Sequence, residues 1–305
     1  MAEFSPTDSA LEGFRLAREH PSTIAIWAVI SMILTVATYV LLIPAVGAQL
    51  TEFMALASPQ GGPGAQPQPA DQEKLVALMS QMGPAMLRVY PPILLITLVV
   101  NAVISAANMR MVLRPEEHSP GFLRLGADEL RILAVMIVKA LILFGLSLVG
   151  SMLAGLSIAL MGPIGALPAV LIFLALIAAG VVISVRLSLA TPQTFAERRI
   201  MIFQSWGLTA GRFGPLIGCY LLTFVLMIVV LIVGSLLTGA ITLAAGMIMG
   251  GAPKADFSSI QAFFTPLQII ELVLGSVISG MVLAIKGSPP AVIYQRLTGA
   301  QSVFT

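Results

Sequence analysis

Long apolar runs alternate with short segments that hold most of the charge. Six runs are long enough to cross a bilayer as helices, at approximately Thr23–Val46, Pro91–Met109, Val138–Leu160, Ala166–Val185, Pro215–Leu237 and Thr265–Ile285. A helix rising 1.5 Å per residue needs roughly 20 apolar residues to cross a hydrocarbon core of about 30 Å. The pattern therefore predicts an all-α fold. It is a polytopic integral membrane helical bundle of about six transmembrane helices, with amphipathic helices at the interface. Residues 1–305 form one membrane domain. A cytoplasmic N-terminal segment covers 1–22, an outer loop with a surface helix covers 47–90, and cytoplasmic interfacial loops cover 110–137 and 186–214.

Two apolar stretches exceed what one span requires. The run from Arg131 to Gly162 fits either one tilted helix or a surface helix bending into the bilayer near Lys139. Ile241–Gly251 lies on the outer leaflet or dips in and returns. In the outer loop, Ser58–Ala70 carries glycine and proline but no charge, which reads as an irregular tether. Leu75, Leu78, Met79 and Met82 behind it can form the apolar stripe of a short surface helix or of a lid.

Composition agrees with this pattern. Apolar types make up 58% of the chain and charged types 10%, and the mean hydropathy is +0.99. A water-solvated exterior needs far more charge. The N-terminal apolar run is too long for a cleaved signal core, so an uncleaved helix is expected. A net charge of +2 gives no support to a nucleic-acid partner.

Orientation follows from the cations. Twelve lysines and arginines fall in the segments assigned to the cytoplasm and three (Lys74, Arg88 and Lys254) on the other side, with Lys139 near a boundary. Both termini are then expected in the cytoplasm, and an even number of spans requires the same. The lone cysteine, Cys219, cannot form an internal disulfide and reads as a small packing residue.

The two cytoplasmic loops share a faint pattern. Phe122–Ile132 reads FLRLGADELRI and Phe203–Phe213 reads FQSWGLTAGRF, so phenylalanine, glycine and arginine coincide at three positions. An architectural repeat and the common demands of a membrane interface both account for this. In the second loop a helix is expected after Thr191, capped by that residue, with Pro192 at its first position. Phe195, Ile200 and Phe203 would lie on the membrane while Arg198 and Arg199 face water or headgroups. Arg198, Arg199 and Arg212, with Trp206 at the boundary, form a candidate contact for anionic headgroups. In the first loop, Asp128 and Glu129 pair locally with Arg124 or Arg131. Adjacent helical residues diverge, so the two carboxylates make a poor catalytic dyad. His118 has no companion ligands, and neither a metal nor any other cofactor is implied.

Lys139 and Glu271 are the ionisable residues within or beside the spans. Lys139 can snorkel to the inner face, and Glu271 can reach an outer recess. Small residues spaced by four, Ser147, Ser151 and Gly155 in the third span and Gly275 with Ser279 and Ser276 with Gly280 in the sixth, let helices approach closely within one chain or between two.

Arg186, Pro192, Glu197, Ser205, Trp206, Leu208, Thr209, Gly211 and Phe213 together resemble a loose bacterial family of six-span membrane proteins. It includes the membrane domain attached to some glycerophosphoryl diester phosphodiesterases. In two-part relatives the hydrolytic chemistry belongs to a separate soluble barrel. The resemblance therefore implies a membrane domain without its catalytic partner, and no catalytic residue is carried over.

The leading expectation is a non-enzymatic protein of the bacterial inner membrane. It would scaffold or regulate a membrane partner, contact anionic lipid, and assemble with another membrane protein or with itself. A small-molecule or lipid transporter and a membrane enzyme acting on a phosphorylated lipid are the alternatives.

Overall fold

The computed structural model describes residues 5–57, 69–117, 119–249 and 256–299, without the side chains of 57, 69–72 and 249. The 58–68 part of the expected tether, His118, Gly250, Gly251 and Lys254 lie outside them. The described residues are helical, with no strand among them. α1 is Pro6–Glu19, α2 Pro21–Ala57, α3 Pro69–Leu113, α4 Ala127–Met161 and α5 Ala166–Arg186. α6 is Ala190–Glu197, α7 Ser205–Thr209, α8 Phe213–Met249, α9 Ile260–Phe263 and α10 Pro266–Thr298. Five helical stretches are long and apolar enough to cross a membrane. One of these, Ala127–Glu197, is folded back on itself and contains both α4 and α5. The protein is thus an all-α, multi-pass membrane protein.

The fold-back is legible in the residues MGPIG. Gly162 takes φ 57° and ψ −141°, a conformation that side-chain-bearing residues avoid. Pro163 then lacks the N–H that would continue α4. The Ser157 hydroxyl donates to the Gly165 carbonyl at 3.1 Å. Further down the hairpin, Gly150 leaves room for Leu176 of α5, whose side chain would lie 2.1 Å from a Cβ at that position.

Several helices run beyond the expected spans. α3 is continuous from Pro69 and contains Pro84, Pro91 and Pro92, so the expected surface helix is an extension of the spanning helix. Its 45 residues correspond to about 68 Å, roughly twice the hydrocarbon thickness. α4 runs without interruption past Lys139. α8 continues through the apolar stretch after Leu237 as far as Met249. The N-terminal segment contains a helix that the apolar pattern did not mark. Ser5 caps α1 by accepting from the Asp8 N–H at 3.4 Å, with Pro6 at the first position.

The chain divides into two compact units. One comprises Met1–Thr23, Asn101–Met227 and Leu283–Thr305, and the other Ile24–Val100 and Ile228–Val282. In the first, Ala10, Leu189, Leu216, Cys219 and Ile293 form a buried cluster, so Cys219 is a packing residue there. Gly13 brings α1 against α10, since a Cβ would lie 2.5 Å from the Ile285 Cα. In the second, Gly280 brings α10 onto α2, where a Cβ would meet the Ile24 carbonyl oxygen at 2.9 Å. Phe263 packs on Tyr39 and Phe257 in the same unit.

Candidate functional site

The arginine-rich segments of the first unit hold a buried ionic network. Arg110, at the end of α3, is 2% exposed. Its guanidinium donates to Glu129 at 2.6 Å and to the Phe122 carbonyl at 2.5 Å. Arg114 donates to Asp128 at 3.3 Å and to the Phe195 carbonyl at 3.0 Å. Both guanidiniums also lie over the Phe195 ring, 5.7 and 4.5 Å from its centre. Asp128 pairs with Arg131 at 2.6 Å, and Glu117 pairs with Arg124 at 3.1 Å. Glu129 thus finds Arg110 rather than Arg124 or Arg131. The carboxylates neutralise buried cations, and the network ties α3, α4 and α6 together.

Phe195 corrects the amphipathic reading of the second loop. α6 starts at Ala190, so Thr191 and Pro192 lie inside it, and its residues from Ala190 to Phe195 are buried. Phe195 is held by arginines rather than by membrane. The segment surfaces from Glu197 onward, and Arg198, with a φ of 54°, ends the helix. There Arg198, Arg199, Ile200, Phe203 and Trp206 are exposed. Arg212 is half-buried and donates to the Leu208 carbonyl at 3.4 Å. Four of the residues that suggested a family resemblance, Arg186, Ser205, Thr209 and Phe213, form a lock. Ser205 donates to the Arg186 carbonyl at 2.9 Å, Arg186 donates to the Thr209 hydroxyl at 3.4 Å, and its guanidinium lies 5.7 Å from the Phe213 ring centre. The aligned glycines differ in conformation, because Gly126 precedes α4 whereas Gly207 lies within α7.

A cavity of ≈ 210 Å³ with several polar groups in a mainly apolar wall lies in the same unit. α3 contributes Asn101, Ser105 and Asn108 to its wall, spaced by four and three residues along one helix face. α4 contributes Lys139 and α10 contributes Lys286. Ser184 and Ser188 come from the end of α5 and the turn after it, and Thr191 comes from α6. The remaining wall is mainly apolar and includes Met109, Met136 and Pro290. No carboxylate lines the cavity among the described residues, whereas two lysines do. Such a wall favours an anion. Its volume is below the roughly 300–1,000 Å³ typical of drug-sized ligands, so it suits a head group rather than a large molecule.

Lys139 is thus the sequence candidate that the structure places in a cavity. Glu271 accepts from Gln268 at 3.1 Å and belongs to the other unit. Ser147 and Ser151 are exposed and donate to carbonyls of their own helix. Gly155 and Gly275 have no neighbour within 4 Å of a built Cβ. Ser279 is exposed and donates to the Gly275 carbonyl. Among the described residues, no three histidine, cysteine, aspartate or glutamate side chains converge to hold a metal. Sequence reasoning missed Asn101, Asn108 and Lys286. The polar spacing of Asn101, Ser105 and Asn108 within an apolar run was the available signal. No protein-family model, no curated protein and no solved structure matches this chain.

Proposed function

We propose that this is a non-enzymatic protein of a bacterial inner membrane that holds the anionic head group of a lipid in the Lys139–Lys286 cavity, and that through this contact it scaffolds or regulates a membrane partner. One observation carries the reading: two lysines line a single small cavity whose wall contains no acid among the described residues. Phosphate oxygens accept charge-assisted hydrogen bonds from ammonium groups, and the mainly apolar wall suits an amphiphile. The excess of cations in the segments around the cavity supports its placement on the cytoplasmic side. The exposed Arg198, Arg199 and Trp206 suit the same leaflet. The family resemblance of Arg186–Phe213 supports a membrane domain.

The test uses the purified full-length protein in nanodiscs containing phosphatidylcholine and an anionic lipid. Retained lipid is quantified by native mass spectrometry. Wild type is expected to enrich the anionic lipid. Lys139→Met combined with Lys286→Met is expected to lower that enrichment about tenfold, the effect of losing one or two charge-assisted contacts. Equal retention by wild type and the double variant would refute the cavity assignment. Turnover of the bound lipid would make the protein an enzyme, and net flux across the bilayer would make it a transporter. Crosslinking in native membranes should recover a stoichiometric partner, and finding the protein alone would remove the scaffold role.

A further inference from the structure

We infer that this cavity takes a terminal phosphate, a phosphate monoester, and that hydroxyls from α3, α5 and α6 share its oxygens with the two lysines. The inference rests on the anionic-ligand reading above and narrows it to a chemical class. Charge sets the class. Lys286 is exposed and Lys139 is half-buried, and both line the cavity. Neither forms an ion pair among the described residues, whereas Arg110, Arg114, Arg124 and Arg131 of the same unit all have carboxylate partners. A phosphate monoester carries about −1.5 to −2 charges near pH 7. A phosphodiester or a carboxylate carries one, and would leave one of the two cations without a counter-charge.

The hydroxyls point the same way. On an apolar helix a serine or threonine hydroxyl commonly donates to a carbonyl one turn back. Thr38, Ser147, Thr223 and Ser276 do so here. Ser105, Ser184 and Thr191 line the cavity and have no hydrogen-bond partner among the described residues. Their protons are free for a ligand. Solvent also reaches their oxygens: Ser184 is exposed, Ser105 is half-buried, and Thr191, though 7% exposed, is not closed off as the Asn108 Oδ1 is. The wall thus presents five donor groups, two ammoniums and three hydroxyls, from α3, α4, α5, α6 and α10. A terminal phosphate offers three unsubstituted oxygens, each a strong acceptor, where a diester offers two. The monoester therefore matches the wall in charge and in acceptor number.

The experiment compares two short-chain lipids with the same acyl chains. These are dihexanoyl phosphatidic acid, a monoester, and dihexanoyl phosphatidylmethanol, a diester that differs by one methyl group on the phosphate. Binding to full-length protein in neutral detergent at pH 7.5 is measured by native mass spectrometry. Wild type is expected to prefer the monoester about tenfold, the value of one added charge-assisted contact. Thr191→Val keeps the side-chain shape without the hydroxyl and is expected to narrow that preference to about twofold. An unchanged preference in folded Thr191→Val would overturn the hydroxyl assignment. The wild-type comparison needs no variant, so it decides the monoester inference even if Thr191→Val does not fold. Equal wild-type affinities, with both lost in Lys139→Met combined with Lys286→Met, would overturn the monoester inference and leave the anion reading standing. Binding of neither lipid, or binding unaffected by the lysine changes, would overturn the anion reading itself. Soluble glycerol phosphate, also a monoester, serves as a competitor. Competition at concentrations similar to those of the lipid identifies a free monoester as sufficient, and its failure to compete assigns the site to lipid.

Discussion

Arg110 and Arg114 differ from Arg198 and Arg199 in everything except charge. All four flank membrane helices on the arginine-rich side of the chain. The first two are nearly inaccessible, paired with Glu129 and Asp128, and stacked over Phe195. The second two are exposed, and no carboxylate pairs with them among the described residues. Charge counting treats the two pairs alike because both obey the same orientation rule. Their physical tasks are opposite. One pair holds the protein together, and the other is available to an anionic surface.

The largest effect should come from Glu129→Ala. It leaves the Arg110 guanidinium buried without its closest carboxylate, and removing one partner of a buried ion pair costs about 3–5 kcal/mol. Thermal unfolding in detergent should show a large loss, with Glu129→Gln recovering part of it through a neutral hydrogen bond. A wild-type midpoint for Glu129→Ala would erase the contrast drawn between the two arginine pairs. Phe195→Leu should come next, with a loss of about 2 kcal/mol, because it keeps apolar volume but removes the ring under both guanidiniums. A chevron or denaturation series at low and high salt sharpens this point. The buried network should respond little to salt, since screening acts chiefly on exposed charge.

The smallest change in stability should come from Arg198→Gln combined with Arg199→Gln. The unfolding midpoint should move by less than about 2 °C, as expected for exposed positions. Enrichment of anionic lipid around the protein in mixed-lipid nanodiscs should nevertheless fall, and that fall should shrink as salt rises. A destabilisation comparable to that of Glu129→Ala would show that the exposed pair is structural as well.

Much of the fold could be read directly. The Gly162–Pro163 break, the apolar runs and the small side of Gly280 are local features whose physics does not depend on distant partners. The cap formed by Ser5, Pro6 and Asp8 was equally local, although it was not read as a helix. Phe195 is the opposite case. In the chain it is one more aromatic residue in a basic segment, and membrane contact is the natural expectation. Its environment comes from Arg110 and Arg114, more than 80 positions earlier, so no window around it contains the answer.

The candidate site divides in the same way. The spacing of Asn101, Ser105 and Asn108 marks a polar face on α3 because helical periodicity is intrinsic to the chain. Composition and apolar periodicity alone require a helical protein with hydrocarbon around most of its length, because such residues have no other solvent. That Lys139 and Lys286 share one cavity arises only when α3, α4 and α10 pack together. Burial and pairing are properties of a neighbourhood, and that neighbourhood is assembled from segments far apart in the chain.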